Sequence, residues 1–262
     1  MRTGDQDKFF ATDFCVCFFT STKGHFKNKT VYKHTLENLE KQLASTTRIF
    51  AHIKVTPGEE WIADEIQDTI GSIFPNAIVF ETVGQWNHID GSSHFEYLKD
   101  IHTLFEKARH YNYALFLEDD WLFNKYAKVA FYHDVELDFA EEMNRAKGWL
   151  KAVPEIFCYR WLRNDPEIAS RTNAQLDFGN LLYSQQKEFS FNPCIVRPKE
   201  MFLIASFVVK MYNHLHPHCE MAFTQTIDFL FNGKAKFVFE AKQSITHIGT
   251  QDFVNSISNE QS

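Results

Sequence analysis

Short apolar runs alternate with helically spaced apolar residues through the first half of the chain. Four runs rich in aromatic and branched side chains predict buried strands: Thr12–Thr20, Arg48–Val55, Ala77–Val83 and Tyr113–Leu117. Between them, apolar residues recur three or four positions apart and indicate three helices, marked by Tyr32, Leu36, Leu39 and Leu43, by Ile62, Ile66, Ile70 and Ile73, and by Phe95, Leu98, Ile101 and Phe105. This alternation predicts an α/β fold with a mostly parallel central sheet flanked by helices.

The second half of the chain is less regular. Its helical patterns are Val135–Trp149, Pro198–Tyr212 and Pro217–Phe231, and its extended segments are Ile156–Trp161, Asn180–Ser184, Phe189–Val196 and Lys236–Phe239. No internal repeat or low-complexity linker divides the sequence, so we expect a single domain over residues 1–262. Residues 12–125 form its first half, residues 126–250 its irregular second half, and residues 255–262 a frayed polar tail.

Composition and charge argue against several classes of function. Hydrophobic residues make up 44% of the chain, and 27 of the residues are Phe, which favours a thick core. A formal net charge of −7 argues against non-specific binding to nucleic acid or acidic membranes, although a local basic patch is compatible with it. The apolar runs are too short to span a bilayer, and the N-terminus is a poor signal peptide.

The cysteines indicate a reduced compartment. There are five of them, an odd number without the spacing of a disulfide framework. Cys15 and Cys17 alternate along a predicted strand, and we expect them to project to opposite faces and not to form a bridge. These features together predict a cytoplasmic protein.

The predicted strand Tyr113–Leu117 runs directly into the acids Glu118, Asp119 and Asp120. Carboxylates this close repel one another and raise the pKa of at least one of them. A divalent cation removes that repulsion, because hard cations take carboxylate oxygens as ligands. A solvated acidic turn is the alternative. The acids therefore predict a metal site at the mouth of the sheet, and such a site suggests a phosphorylated substrate.

The loop after the first strand is expected to share that edge of the sheet. Ligands of open α/β sheets bind beyond the carboxyl ends of the strands, and both this loop and the acids follow such ends. Thr20, Ser21 and Lys23 are candidates for holding a nucleotide through hydrogen bonds, with Lys23 near a phosphate. An ordinary polar loop is the alternative.

The order of these motifs resembles that of nucleotide-sugar-dependent glycosyltransferases with the GT-A fold. The resemblance covers roughly residues 12–250. It is carried by the strand that ends in Glu118-Asp119-Asp120, by the elements before it, and by a C-terminal series: Phe191–Arg197 (FNPCIVR), a helix opening near Glu220, Gly233, and Thr246-His247-Ile248-Gly249. It implies a GT-A-like, Rossmann-like fold, with a nucleotide-sugar-binding first half and an acceptor-side second half.

The resemblance also implies a metal site. In the family the last acid of the motif contacts Mn²⁺ or Mg²⁺ between the two donor phosphates, and that position is Asp120. Glu118 and Asp119 would then orient the ribose or waters around the ion. His247 would be a second ligand, for which a neutral imidazole is suitable; an exposed loop histidine is the alternative. Asp100 would contact the nucleotide or a basic neighbour, and a solvated helix face is its alternative.

The candidate catalytic base is Glu220. Transfer with inversion needs a carboxylate that takes the proton from the attacking hydroxyl, and similar enzymes place that acid at the start of a helix before the terminal histidine. Glu220 follows Pro217 at a predicted helix start, where the helix dipole favours an ionised carboxylate. Asp228, two turns later, is the competing candidate, and inversion or retention stays open.

The resemblance also implies an enzyme class. We expect a metal-dependent glycosyltransferase that moves a hexosyl or deoxyhexosyl group from a UDP- or GDP-linked donor to a hydroxyl of a glycan or glycolipid acceptor. One alternative is a sugar nucleotidyltransferase, which usually has a glycine-rich basic loop where this chain has one glycine, Gly24, beside Lys23. The other is a non-catalytic carbohydrate-binding protein of the same fold.

Overall fold

The computed structural model describes residues 13–22, 31–84, 92–129, 133–163, 175–176, 182–183, 189–191 and 193–248. The strands are β1 (Phe14–Ser21), β2 (Arg48–Val55), β3 (Ile78–Val83), β4 (Tyr113–Glu118), β5 (Trp121–Val129), β6 (His133–Glu136), β7 (Ile156–Arg163), β8 (Gln175–Leu176), β9 (Leu182–Tyr183), β10 (Cys194–Val196) and β11 (Lys236–His247). The α-helices are α1 (Val31–Gln42), α2 (Glu60–Ile73), α3 (Ser92–Ala108), α4 (Phe139–Ala152), α5 (Pro198–Met211) and α6 (Cys219–Leu230).

A nine-stranded sheet runs through these residues in the order β3-β2-β1-β4-β10-β7-β11-β5-β6. β1 pairs in parallel with β2 and β4, β2 with β3, and β7 with β11. Strands β10 and β5 run against the other seven. The predicted α/β fold with a mostly parallel, helix-flanked sheet is confirmed, and the sheet continues from the first half of the chain into the second.

Alternate side chains of β1 supply two cores on opposite faces of the sheet. Phe14 and Phe18 pack with α1, α2 and α4 on what we call the α1 face. Cys15 and Cys17 pack with α3, α5 and α6 on the α3 face. The expectation that the two cysteines point to opposite faces is wrong, because residues two apart in a strand share a face. Both thiols are nevertheless free and buried.

The second half departs from the predicted elements near the acids. β5 follows them directly, where no strand is predicted. The helix predicted over Val135–Trp149 is wrong at its start, because β6 occupies those positions and α4 begins only after its cap, Asp138. β11 is longer than the predicted Lys236–Phe239 and ends on His247. His247 is therefore held by strand pairing instead of lying on a loop.

Some expectations fall beyond the described part of the chain. They concern Lys23 and the tail at residues 255–262. Among the helices that the structure describes, none combines the length and the apolar character needed to cross a bilayer.

Candidate functional site

The turn between β4 and β5 carries the three acids at the carboxyl edge of the parallel strands. Glu118 is the last residue of β4 and lies opposite Phe19 of β1. Asp119 and Asp120 form the turn into β5. The three side chains have different neighbours, because Glu118 contacts α3, Asp119 contacts β1 and Asp120 contacts β11.

Asp120 and His247 form a pair where the turn meets β11. Antiparallel pairing with β5 sets His247 opposite Trp121, and the backbone N–H of Ile248 donates to the Asp120 carbonyl at 2.7 Å. His247 Nε2 then lies 2.8 Å from Asp120 Oδ2. The Trp121 and His247 rings pack with their centroids 4.7 Å apart. The exposed fraction is 25% for Asp120 and 27% for His247, so a ligand can reach both side chains.

The second carboxylate oxygen of Asp120 fits a cation. Asp120 Oδ1 is buried, and no described residue shares a hydrogen bond with it. Burying a carboxylate oxygen without a partner is costly, and a bound cation removes that cost. The described residues contain no group of three or more His, Cys, Asp or Glu that could hold a metal. The pair therefore fits an ion whose other ligands come from substrate oxygens or water, as is usual for Mg²⁺ at phosphates.

Helix α1 and strand β1 hold the turn from its other side. The Thr20 hydroxyl donates to Asp119 Oδ2, and the Thr35 hydroxyl donates to the Asp119 carbonyl at 2.7 Å. The Asn38 side chain donates to the Phe123 carbonyl at 3.0 Å and accepts from the Phe123 N–H at 2.9 Å. Thr35 and Asn38 lie three residues apart, on one side of α1. We call these two residues the α1 clamp. Sequence reasoning missed them because polar residues on an amphipathic helix predict a solvated face.

Glu118 is half-buried on the α3 face. The Tyr97 hydroxyl donates to Glu118 Oε1 at 2.9 Å. Burial raises the pKa of Glu118 to about 8, and the charge of Asp120 adds to the increase. Burial also raises the pKa of Tyr97 well above its ordinary value, with the charge of Glu118 as the next cause. A carboxyl that favours its neutral form is a weaker metal ligand than an ionised one, because metal ligands must be deprotonated.

Glu220 lies in the first turn of α6, on the same face of the sheet as Glu118. Tyr97, whose hydroxyl binds Glu118, packs its ring against the Phe191 ring with centroids 5.1 Å apart, and the charge of Glu220 adds to the raised pKa of Glu118. The backbone N–H of Phe191 donates to Glu220 Oε1 at 2.9 Å. Asp228 is exposed in the last turn of α6, about 12 Å further along the helix axis. Of the two candidate bases, Glu220 is therefore the one that the fold brings to the acidic turn.

Asp100 is buried beside Lys54 near the ends of β2 and β3. Asp100 Oδ2 lies 3.1 Å from Lys54 Nζ, and the Thr82 hydroxyl donates to Asp100 Oδ1 at 2.8 Å. His52 Nε2 lies 3.0 Å from that hydroxyl. Burial, followed by the charge of Lys54, lowers the pKa of His52 to about 3. Asp100 thus has a basic neighbour, and its contact with a nucleotide stays a prediction. Sequence reasoning missed Lys54, although a lone lysine in the apolar strand RIFAHIKV was an available signal.

The end of β1 carries the predicted nucleotide contacts. Thr20 is 1% exposed, and its hydroxyl is bound to the acidic turn. Ser21, the last residue of β1, is half-buried. The next residue, Thr22, is buried, and its hydroxyl accepts from the Thr56 N–H at 2.8 Å. The hydroxyls of Thr20 and Thr22 therefore stiffen this edge, and Ser21 is the more accessible of the two described candidates.

No protein-family model matches the sequence, and no curated protein does. Many solved structures resemble the fold at low sequence identity, among them the following three. A glycosyltransferase involved in glycosylation of the major capsid of PBCV-1 has 12% identity and a TM-score of 0.42, over 94% of this chain and 99% of that one. S. aureus TarS residues 1–349 has 11% identity and a TM-score of 0.47, over 90% and 60%. Mouse xyloside xylosyltransferase 1 has 9% identity and a TM-score of 0.47, over 92% and 99%.

These similarities are too distant to support an activity. The side chains of Glu118, Asp119, Asp120 and their neighbours, at what we call the acidic edge of the sheet, are therefore the basis for the chemistry. That edge combines a carboxylate–imidazole pair, Asp120 with His247, and a half-buried carboxyl–phenol pair, Glu118 with Tyr97. Glu220 lies near the second pair, at a helix N-terminus.

Proposed function

We propose that this protein is a metal-dependent glycosyltransferase. It would transfer a hexosyl or deoxyhexosyl group from a nucleoside diphosphate sugar to a hydroxyl of a glycan or glycolipid. The observation that carries the proposal is the Asp120–His247 pair, with its buried oxygen Oδ1, at the carboxyl edge of a mostly parallel sheet. Phosphate-bearing ligands bind at this edge in open α/β folds.

In this proposal Asp120 and His247 hold the ion. One ligand is a carboxylate and the other an imidazole, a set that suits Mn²⁺ and is compatible with Mg²⁺. When bound there, the ion supplies positive charge that neutralises the departing diphosphate. Glu118 keeps its hydrogen bond to Tyr97, and Asp119 keeps the turn in place through Thr20.

The donor nucleotide would lie along the ends of β1 to β4. Ser21 and Lys23 are the proposed contacts after β1, with Thr20 contributing through the turn that it fixes. Asp100 would act either directly on the nucleotide or through Lys54, to which it is bound. We keep UDP and GDP as the first two nucleotides to test.

Glu220 is the proposed base. The acceptor oxygen attacks the anomeric carbon, the bond from that carbon to the diphosphate oxygen breaks, and the hydroxyl proton moves to Glu220. The Phe191 N–H holds Oε1 at 2.9 Å, and we assign the proton to the other oxygen, Oε2. The N-terminus of α6 stabilises the ionised carboxylate before the reaction. A single displacement of this kind inverts the anomeric configuration.

A nucleotide screen tests the proposal directly. The full chain is heated with UDP, GDP, CMP or dTDP in the presence of Mn²⁺, because a ligand that binds the folded state raises its melting temperature. The matching sugar nucleotides are then incubated with the protein, and nucleoside diphosphate release is measured. We expect one nucleotide to stabilise the protein only with the metal, and its sugar form to be hydrolysed slowly.

The outcomes separate this proposal from its rivals. Release of pyrophosphate from a nucleoside triphosphate and a sugar phosphate would indicate a nucleotidyltransferase. Binding of glycans without any effect of nucleotide would indicate a non-catalytic carbohydrate-binding protein. Absence of both donor binding and donor hydrolysis across the panel would overturn the transferase.

A further inference from the structure

The outer surface of α5 and α6 carries an apolar patch. Leu203 is 55% exposed on α5, and Phe229 and Leu230 are 70% and 45% exposed at the end of α6. The half-buried Phe207 stacks on Phe229 with ring centroids 6.0 Å apart, which joins the two helices into one surface. We call Leu203, Phe207, Phe229 and Leu230 the α5–α6 patch. Exposed apolar side chains that are grouped in this way mark an interaction site, whereas scattered ones do not.

Basic side chains border the α5–α6 patch. Lys199 and Lys210 are exposed on α5, and their positions four residues before and seven after Leu203 place them on the same side of the helix. Arg109, exposed after α3, lies over the ring of Phe202 at 5.4 Å. The basic border contrasts with the formal net charge of −7 for the whole chain. One exposed acid, Asp228, lies beside Phe229 on α6, so the three basic side chains outnumber it at this border. The patch therefore combines apolar contact area with an excess of positive charge.

We propose that the α5–α6 patch binds an anionic lipid surface. Apolar side chains that enter the headgroup region, bordered by Lys and Arg that face anionic lipids, are the combination that holds proteins at such surfaces. A second copy of the chain fits less well, because both partners would bring the same excess of positive charge to the interface. The patch exposes on the order of 300 Å² of apolar side chain, below the ~800 Å² per partner of a stable protein interface.

The patch lies at the far end of α6 from the acidic edge. Glu220 is in the first turn of α6 and Phe229 is near its last residue, about 14 Å further along the axis. A protein held by the patch would therefore keep the Asp120–His247 pair open to a donor from solution. It would also work close to acceptors that are anchored in the same surface.

Vesicle co-sedimentation of the full chain tests this inference. The probes are phosphatidylcholine vesicles with and without phosphatidylserine, at low and physiological salt. We expect binding to the phosphatidylserine vesicles that weakens with salt, and at least tenfold weaker binding for Leu203→Ser/Phe229→Ser and for Lys199→Glu/Lys210→Glu. Trp61→Ser is the matched control, because Trp61 is 48% exposed on α2 and is not part of the patch. It should bind like the unmodified protein.

Several results would overturn the inference. Absence of binding to both kinds of vesicle would do so, as would equal binding to both or equal binding by the charge-reversed variant. Light scattering that shows a dimer lost in Leu203→Ser/Phe229→Ser would assign the patch to a second copy instead. The assay contains neither donor nor acceptor, so its outcome is independent of the proposed transfer reaction.

Discussion

Glu118 and Asp120 are two residues apart in the sequence but have different neighbours. Glu118 is half-buried on the α3 face, where it accepts a hydrogen bond from Tyr97 and loss of water raises its pKa to about 8. Asp120 is a quarter exposed and lies 2.8 Å from His247 on the side of β11. On the same α3 face, burial lowers the pKa of His52 to about 3. An acid shifted upward and a base shifted downward have one common cause, the loss of water around the charged form.

Within one acidic motif, Glu118 is therefore expected to stabilise the turn and Asp120 to bind the cation. The α3 face favours neutral or paired groups, such as Glu118 with Tyr97 and Asp100 with Lys54. The pair at β11 has solvent access and the buried oxygen Asp120 Oδ1. A cation is therefore expected at Asp120, while Glu118 supports the turn beneath it.

The largest expected effect is at Asp120. Asp120→Asn should weaken Mn²⁺ and donor binding at least 100-fold, because it replaces a charged ligand oxygen with a neutral one. Glu118→Gln should weaken binding less than tenfold, since Tyr97 can still donate to the amide oxygen. Calorimetric titration of Mn²⁺ with and without nucleotide measures both.

Asp68→Asn, an exposed substitution on α2, is the matched control for lost charge. Equal losses in the Asp120 and Glu118 variants would remove the distinction between the two environments. Unchanged affinity in Asp120→Asn would show that the metal assignment is wrong.

The next effect concerns Glu220, the proposed base near Glu118. Glu220→Gln should lower kcat by about 10²–10⁴, the usual contribution of general base catalysis, with little change in donor affinity. Asp228→Asn should leave kcat near its original value, because Asp228 lies at the other end of α6. Steady-state kinetics on the donor identified by the nucleotide screen provide the measurement. A larger loss in the Asp228 variant would reverse the assignment.

A smaller effect is expected at the α1 clamp, which binds the backbone of Asp119 in the turn and of Phe123 in β5. Asn38→Ala removes both hydrogen bonds to Phe123 and should weaken Mn²⁺ affinity about three- to tenfold, together with ~1–2 kcal/mol of stability. Thr35→Ser keeps its hydroxyl and should keep the Mn²⁺ affinity, while loss of its buried methyl costs about 1 kcal/mol of stability. Metal titration beside urea unfolding separates the two contributions. A stability loss without any change in metal affinity would make the clamp a purely structural feature.

The last effect, which appears only at acidic pH, is the pH dependence of the α3 face. Because the folded state holds His52 neutral down to about pH 3, the unfolded chain binds its proton first as the pH falls below 6.5. Stability is therefore full above that pH and lost below it, by about 2 kcal/mol from this residue at pH 5. His52→Gln should flatten that slope in urea unfolding at pH 7.5 and pH 5, whereas the exposed His110→Gln should not. Identical slopes in all three proteins would mean that His52 is not held neutral.

Much of the first half could be predicted because its signals are local. The apolar run of β4 and the acids after it, and the repeating isoleucines of α2, each indicate their element without knowledge of the rest of the chain. The strand β5 was missed, because a strand that begins inside an acidic motif has no turn signal of its own. The start of α4 was misplaced because Val135 fits a helical and an extended pattern equally well.

The amino-acid sequence by itself determined the elements of the first half, the edge where the acids gather and the residue types that can hold a cation. The tertiary structure decided which neighbours each of the three acids has. It placed Glu118 under Tyr97, Asp119 against Thr20, and Asp120 against His247, which is 127 residues away along the chain. The physical reason is that propensity and periodicity act over a few neighbouring residues. Solvent exposure and the identity of a charge's neighbours depend on which distant strands pair, and these set the pKa of a carboxyl and its access to a metal.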